Sequence, residues 1–266
     1  MDKEIQTEAR ARMKGFCRVC PTCDGRACAG EVPGMGGTGS GSGFMENLNA
    51  LSRIKIHMRT LHSVHTADTT MQLFQRRLEM PILICPLGGV QYNMTTQLSE
   101  EEYITSMVHG AENAGTLCGT GDGEVPEIFD AAVKASQLHP ATAIPFIKPW
   151  DTPQLEHIIE QLHSMATEVF GMDIDAAGLI TLKELGQPVF PKTPDEIKHI
   201  IAQSAGMKFV LKGIMTPDQA RIAVDAGVSA IVVSNHGGRV LDHTPGTAEV
   251  LPKIAEAVNG TIPVLV

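Results

Sequence analysis

The feature that most constrains the fold of this chain is a β-α-β unit at residues 209–241. Residues 209–211 and 230–233 form two apolar runs of strand length, and a Thr-Pro-Asp sequence at 216–218 begins a helix between them. Parallel strands that are joined by such a crossover place their carboxyl ends on one face of the sheet. The polar residues that follow the two strands are therefore predicted to lie side by side.

Those polar residues are Lys212 after the first strand and His236 and Arg239 after the second. Lysine carries a permanent positive charge, histidine can take up a proton near neutral pH, and arginine binds a carboxylate through two parallel hydrogen bonds. Together they predict a site that removes a proton from an anionic substrate.

The same alternation of strand and helix extends from residue 81 to the last residue. We predict strands at 82–85, 116–119, 143–147, 168–172, 209–211, 230–233 and 262–266, and helices at 99–114, 125–138, 152–165, 193–205, 216–226 and 247–258. Such alternation predicts an α/β fold of the TIM (β/α)8 barrel type, with the sequence ending in strand seven. We expect a Cys-rich and Gly-rich segment at 1–43 and the barrel at 44–266, with its carboxyl-terminal part and the phosphate-binding loops outside this sequence.

Composition narrows the classes of function. The chain has 266 residues, of which 43% are hydrophobic, so it can bury a barrel-sized core. Its formal charge of -9 and its lack of a long basic run argue against nucleic-acid binding. No apolar run approaches the roughly 20 residues that a bilayer span needs, and the charged amino end does not resemble a signal peptide. We therefore expect the cytoplasm as the compartment.

Four of the six cysteines lie within twelve residues in the pattern C-x2-C-x2-C-x4-C: Cys17, Cys20, Cys23 and Cys28. In a chain without signs of export, such a cluster more often binds metal than forms disulfides. The spacing is similar to the C-x2-C-x2-C-x3-C-P run of bacterial ferredoxins, although the last gap is one residue longer and no proline follows. It predicts an iron–sulfur cluster or a tetrahedral Zn²⁺ site, with free thiols or a disulfide as the alternative.

The stretch from residue 30 to residue 43 is rich in glycine, serine and threonine. This composition is typical of a flexible or tightly turning connector, and the simplest interpretation is a linker. A short helix is predicted after it, at residues 44–51.

The string Ser234-Asn235-His236-Gly237-Gly238-Arg239, together with Lys212 at the end of the preceding strand, resembles the active-site signature of the FMN-dependent 2-hydroxy-acid oxidases and dehydrogenases, the glycolate oxidase and L-lactate dehydrogenase group. The resemblance implies bound FMN and oxidation of a small 2-hydroxy acid such as lactate or glycolate to the 2-oxo acid. It implies that His236 is the base, that Arg239 binds the carboxylate and that Lys212 stabilises the reduced flavin.

Further site residues are implied by position in that family. Asp173, at the end of strand four, is expected to pair with His236, with Asp175 as the alternative. The flavin is expected to contact a second group of residues, which comprises Pro86, Leu87, Gly88, Cys118, Ser234 and Gly237. A homo-oligomer is implied as well, and the electron acceptor stays open between oxygen, a quinone and a centre bound by the cysteines.

Other positions depart from the family pattern. No tyrosine precedes Tyr92, and Pro145 and Ile147 stand where we expect the glutamine and tyrosine of strand three. The second substrate arginine after strand four is missing, which predicts a rebuilt pocket in which Lys148, Tyr92 and His243 are candidates. Two alternatives therefore stay open: another FMN barrel, such as flavin-dependent isopentenyl diphosphate isomerase, and a non-catalytic metal-binding scaffold.

Overall fold

The computed structural model of the chain describes residues 3–31, 35–204 and 206–266. Its strands are β1 Met71–Leu73, β2 Arg76–Leu78, β3 Ile84–Leu87, β4 Cys118–Thr120, β5 Ala143–Ile147, β6 Val169–Asp173, β7 Lys208–Ile214, β8 Ala230–Val233 and β9 Val264–Leu265. Its helices are α1 Lys3–Arg12, α2 Ser42–Arg53, α3 Val90–Asn93, α4 Glu100–Asn113, α5 Pro126–Leu138, α6 Thr152–Ser164, α7 Ile180–Glu184, α8 Pro194–Gln203, α9 Pro217–Ala226 and α10 Thr247–Val258.

Seven of these strands form one sheet in sequence order, from β3 to β9. Every neighbouring pair in that sheet is parallel. Helices connect the successive strands, so the arrangement is that of a TIM barrel, as predicted. The carboxyl ends of the strands therefore lie on one rim, and this rim carries the polar residues of the predicted site.

The strands alternate between an inner and an outer face. Phe146, Val210 and Ala230 point inward and pack against the antiparallel hairpin of β1 and β2. Their chain neighbours Ile147 and Leu211 point outward and pack with the helices. Since consecutive side chains of a strand point to opposite faces, this parity decides which residue of each strand end can reach the centre of the rim.

Predicted and observed elements agree closely for the barrel. β5, β8 and α10 have the predicted bounds, and the remaining barrel elements differ by a few residues at their ends. The hairpin was not predicted, because its turn consists of Phe74 and Gln75 in the left-handed region, with φ of 50° and 66°, and carries neither glycine nor asparagine. The charged helix α1 and the short helices α3 and α7 were also not predicted.

The interpretation of the glycine-rich stretch as a linker is wrong for residues 35–43. The Thr38 amide donates a hydrogen bond to the Gly238 carbonyl at 2.9 Å. The carboxylate of Asp242 accepts hydrogen bonds from the Ser40 amide at 2.6 Å and from the Ser42 hydroxyl at 2.9 Å. This part of the stretch is therefore fixed to the loop after β8, and residues 32–34 lie outside the described residues.

In the described ranges, no helix combines the length and the apolar character that crossing a membrane requires.

Local sequence explains where the helices begin. Ser99 caps α4 in a capping box, in which its hydroxyl accepts a hydrogen bond from the Glu102 amide and the Glu102 carboxylate accepts one from the Ser99 amide. Thr193 and Glu196 form the same arrangement at the start of α8. Each box satisfies backbone amides that have no partner within the helix.

Replacement of the cap should destabilise the barrel without touching the rim. We expect Ser99→Ala to lower the free energy of unfolding by about 1 kcal/mol, because the Glu102 amide loses its partner. Urea unfolding monitored by circular dichroism measures the change. Ser106→Ala is the matched control, since Ser106 is exposed inside the same helix and donates only to the Glu102 carbonyl. Equal midpoints for the two variants would contradict the capping role.

Candidate active site

A buried carboxylate at the end of β6 lies at the centre of the rim. Asp173 is paired in register with Lys212 on the neighbouring strand β7, so the two side chains share one face of the sheet. Lys212 Nζ lies 2.9 Å from Asp173 Oδ1, and Lys148 Nζ, just after β5, lies 2.8 Å from Asp173 Oδ2. The ends of three successive strands are thus joined by ion pairs.

The charges of this group are interdependent. Burial raises the pKa of Asp173, but the ammonium groups of Lys148 and Lys212 outweigh it and hold that pKa well below its usual range. Burial lowers the pKa of Lys212, but Asp173 and Asp175 outweigh it and raise the pKa above its usual value. Both groups are therefore charged across the physiological pH range.

Asp175, rather than Asp173, is the partner of His236, which corrects the prediction. His236 Nδ1 lies 2.9 Å from Asp175 Oδ1. Asp173 points into the inner face, where the two lysines take up its carboxylate, whereas Asp175 lies in the turn of residues 174–178 that follows the strand. Gly213 makes room for this turn, because a Cβ there would lie 2.8 Å from the Cβ of Asp175.

The contact with Asp175 sets the tautomer and charge of His236. A carboxylate only accepts hydrogen bonds, so we assign the proton of the neutral ring to Nδ1 and leave Nε2 as the basic nitrogen. Lys212 Nζ lies 3.4 Å from the same Nδ1. Burial and this ammonium lower the pKa of His236 below its ordinary value of 6.5, although Asp175 acts in the opposite direction. The imidazole is therefore neutral at physiological pH and able to act as a base.

The backbone around His236 explains the His-Gly-Gly sequence. His236, Gly237 and Gly238 all adopt left-handed conformations, with φ of 56°, 66° and 73°. Such a conformation is unfavourable for histidine and accessible to glycine. Asn235 stabilises the turn, because its side-chain oxygen accepts hydrogen bonds from the Gly238 amide at 3.2 Å and from Asn47 Nδ2 at 2.9 Å.

Arg239 is positioned by residues that sequence reasoning missed. One of its guanidinium nitrogens donates to Asn93 Oδ1 at 3.0 Å. Asn93 lies in α3, and the Glu100 carboxylate accepts hydrogen bonds from the Gly89 and Val90 amides at the start of that helix, at 2.9 Å and 2.8 Å. Burial lowers the pKa of Arg239, but a guanidinium is so strongly basic that it stays charged.

Two adjoining cavities bring most of the predicted residues together. Pro86, Gly119, Lys212, Ser234 and Gly237 line the first. The second is a cleft, which is lined by Pro86, Leu87, Gly88, Asn93, Lys148, His236 and Arg239. Leu87 and Gly88, which were predicted to contact the flavin, thus line the cavity that contains His236. Pro86 belongs to both, so the first cavity opens beside the cleft that contains the base and the guanidinium.

Cys118 does not face either cavity, which corrects its assignment to the flavin. Its side chain is buried in a cluster with Ile104 and Val108 of α4 and with residues of α5, on the outer face of β4. Burial raises the pKa of this thiol to about 12, so it is unreactive. Its neighbour Gly119 has the opposite parity and lines the first cavity.

The alternation of inner and outer side chains also corrects the comparison of β5, the third predicted strand, with the family. Ile147 is fully buried under the helices and does not face the pocket. The inward residues of β5 are Phe146 and, just beyond it, Lys148, which is buried rather than solvated. Asp122 fixes this strand end, since its carboxylate accepts hydrogen bonds from the Lys148 amide at 2.9 Å and from Trp150 Nε1 at 2.6 Å.

Two other candidates lie away from the cleft. Tyr92 is exposed on α3. The ring of His243 is 78% exposed and contacts Ser42 and Asp242. Neither residue lines the cavity that contains His236 and Arg239.

The four clustered cysteines all carry free thiols, as do Cys85 and Cys118. Among the described residues, the one group of three or more possible ligands with atoms within 4.8 Å of one another is Asp173, Asp175 and His236. No three of the cysteine sulfurs therefore lie that close together, and metal binding by them stays a prediction. At Asp173 the two lysine ammonium groups oppose a cation, so we interpret that group as a site for protons.

The family of the chain follows from its match to a family model. The model for FMN-dependent dehydrogenases matches residues 34–184 and 182–266. The chain belongs to this family. An L-lactate oxidase of Lactobacillus jensenii is 25% identical over 252 residues, which cover 84% of this chain and 60% of that protein. The chain therefore spans less than two thirds of the length of this relative.

Two further similarities differ in extent. A pre-mycofactocin synthase of Mycolicibacterium smegmatis is 51% identical over 81 residues, which cover 30% of this chain and 20% of that protein. A solved structure from Pediococcus acidilactici, assigned as a lactate oxidase, has a TM-score of 0.73 at 19% identity and covers 98% of this chain and 73% of its own. The structural likeness supports the barrel fold.

The first cavity fits the cofactor after which the family is named. Lys212 presents a buried positive charge there, and Ser234 and Gly237 border the same space. A Cβ at Gly237 would meet no atom within 4 Å, so the backbone at that position is open to a planar group. These residues would hold the ring system of FMN between β3 and the loop after β8.

The ring of His236 should titrate in opposite directions in two variants. We expect Asp175→Asn to lower its pKa further, because the stabilising carboxylate is lost, and Lys212→Met to raise it, because the nearby ammonium is lost. NMR titration of labelled imidazoles measures both, and His236→Gln identifies the resonance among the ten histidines. The control Asp195→Asn removes an exposed carboxylate of α8 and should change nothing. Shifts of equal sign in the two site variants would contradict the assigned contacts.

Proposed function

We propose that this chain is the catalytic part of an FMN-dependent oxidoreductase. The enzyme would convert a small 2-hydroxy acid, similar to lactate or glycolate, into the 2-oxo acid. The observation that supports it best is the shared cleft of His236 and Arg239, with Asp175 on the histidine and the cavity of Lys212 beside it. A base, a carboxylate ligand and a cation for the flavin are thereby assembled in one place.

The roles follow from charge and position. Arg239 binds the substrate carboxylate, and Asn93 holds its guanidinium in place. His236 takes up one proton of the hydroxy acid at Nε2, and Asp175 stabilises the imidazolium that forms. Oxidation removes two electrons and two protons from the substrate, and bound FMN supplies the acceptor for the electrons and the second proton. Lys212 places positive charge beside the first cavity, where it would stabilise the negative charge of the reduced flavin.

The pocket departs from the pattern expected for the family at the end of β5. Lys148 lines the cleft with its ammonium bound to Asp173, and Phe146 lines the adjoining cavity. Because the Lys148 charge is already balanced by Asp173, we propose that it shapes and polarises the cleft, while Arg239 remains the main carboxylate ligand. The identity of the hydroxy acid depends on this rebuilt wall.

A second candidate function comes from the local similarity to pre-mycofactocin synthase. That relative is 51% identical over 81 residues, about twice the identity of the L-lactate oxidase that covers most of the chain. We therefore keep as a second proposal that the same base and flavin cavity act in the reaction for which that protein is named. The comparisons favour neither the isopentenyl diphosphate isomerase nor the non-catalytic scaffold. The homo-oligomer, the cytoplasmic location and the electron acceptor stay predictions.

The full-length protein should carry FMN, and its absorption should bleach anaerobically when the right 2-hydroxy acid is added. We expect one member of a series from glycolate and lactate to longer and aromatic acids to reduce the flavin fully. Stopped-flow absorption in the flavin bands measures the reduction. Reduction only by the precursor of pre-mycofactocin would favour the second candidate. Protein that stays free of flavin even after FMN is added would refute both.

The proton-removing role of His236 can be separated from flavin binding. We expect His236→Gln to lower the rate of flavin reduction about 10²- to 10⁴-fold while FMN stays bound, since only the base is lost. His243→Gln is the matched control, because that ring is largely exposed and lies outside the cleft. A His236→Gln variant that reduces its flavin at the wild-type rate would refute the role.

A further inference from the structure

The cysteine cluster is a compact feature that the proposed oxidation does not use. The four cysteines follow α1, the last of them lies in the helical turn Arg26–Cys28, and all four are free thiols. None of them is fully buried: Cys17, Cys20 and Cys28 are half-buried and Cys23 is exposed. Four thiols within twelve residues are a ligand set for a metal ion or an iron–sulfur cluster.

Val19, between the first two cysteines, has a strained backbone conformation that brings its amide to the sulfur of Cys17. Val19 has a φ of 47°, a left-handed conformation that is a genuine outlier for a β-branched residue. In this conformation the Val19 amide donates a hydrogen bond to Cys17 Sγ at 3.4 Å. Hydrogen bonds to cysteine sulfurs are one of the ways in which proteins tune bound iron–sulfur clusters. The strained conformation thus directs a backbone donor at the sulfur of Cys17.

The ends of the cluster are fixed to each other. Arg18 donates two hydrogen bonds to the carboxylate of Glu31, at 2.7 Å and 2.9 Å, so the residue after the first cysteine is joined to a residue beyond the last. The Arg10 guanidinium also donates to the Val19 carbonyl at 3.2 Å. These contacts bridge residues 10–19 and 18–31, the two ranges that contain the four cysteines.

The cysteine sulfurs are less closely grouped than the ligands of a single Zn²⁺ ion. Four thiolates around Zn²⁺ at ~2.3 Å lie roughly 3.8 Å from one another in tetrahedral geometry. In the described chain no three cysteine sulfurs lie within 4.8 Å of one another. A cluster of iron and sulfide occupies the space between its cysteine ligands and accepts a wider ring, and the C-x2-C-x2-C spacing is that of cluster-binding ferredoxins.

We propose that Cys17, Cys20, Cys23 and Cys28 together ligate one iron–sulfur cluster. The site lies next to the loop of the active-site histidine. A Cβ at Gly36 would lie 2.9 Å from Cys28 Sγ, and the next two residues are bound to their surroundings, since the Gly37 carbonyl accepts from the Gly30 amide at 3.0 Å and the Thr38 amide donates to Gly238 at 2.9 Å. The glycine-rich turn thus connects the cluster directly to the loop after β8.

Metal analysis of anaerobically purified full-length protein tests the proposal. We expect iron and acid-labile sulfide in equal amounts, a broad absorption beneath the flavin bands, and an electron paramagnetic resonance signal after reduction with dithionite. Cys20→Ser and Cys28→Ser should lose iron and sulfide, whereas Cys85→Ser, the matched control at an exposed cysteine outside the segment, should keep both. Zinc without sulfide, or no metal at all, would overturn the proposal.

A second measurement needs no variant and does not depend on catalysis. Cys23 is exposed, so its free thiol would react with iodoacetamide. Ligation predicts that mass spectrometry finds Cys23 protected in the protein as purified, and modified once the cluster has been destroyed with ferricyanide and a chelator and the thiols have been reduced. Modification of Cys23 in the protein as purified, to the extent seen after that treatment, would overturn the proposal, whether or not the flavin is reduced by a hydroxy acid.

Discussion

The site depends on one buried carboxylate that is shared by two lysines. Asp173 is 2% exposed and joins Lys148 after β5 to Lys212 in β7. Burial of an isolated charge costs several kcal/mol, and loss of one partner from such a group leaves an uncompensated charge. The ion pairs therefore fix the relative positions of three strand ends. Residues at those ends line the cleft and the first cavity.

This arrangement also determines the charge state of the base. Around His236 the positive charges of Lys148 and Lys212 are balanced by the carboxylates of Asp173 and Asp175. The imidazole of His236 therefore stays neutral, and the guanidinium of Arg239 lines the same cleft. Without Asp175 the site would be more positive and would favour an anionic substrate. It would also weaken His236 as a base, because the imidazolium would lose its partner.

The sequence predicted the barrel and the group of Lys212, His236 and Arg239 because strand ends can be located to within a few residues from apolar runs and helix caps. It failed where one residue decides the direction of a side chain. Cys118 and Ile147 belong to the outer face, and an error of one residue along a strand exchanges the faces. The pairing of Asp175 with His236 depends on a turn beyond β6, for which apolar periodicity carries no information.

The left-handed conformation at His236 needs support from outside its own loop, and the amino-terminal segment provides it. Thr38 binds the Gly238 carbonyl, Asn47 binds the side chain of Asn235, and Asp242 is bound by Ser40 and Ser42. These contacts come from both sides of the predicted boundary between residues 43 and 44. The conformation of the loop that carries His236 therefore depends on residues 38–47 as well as on the barrel strands.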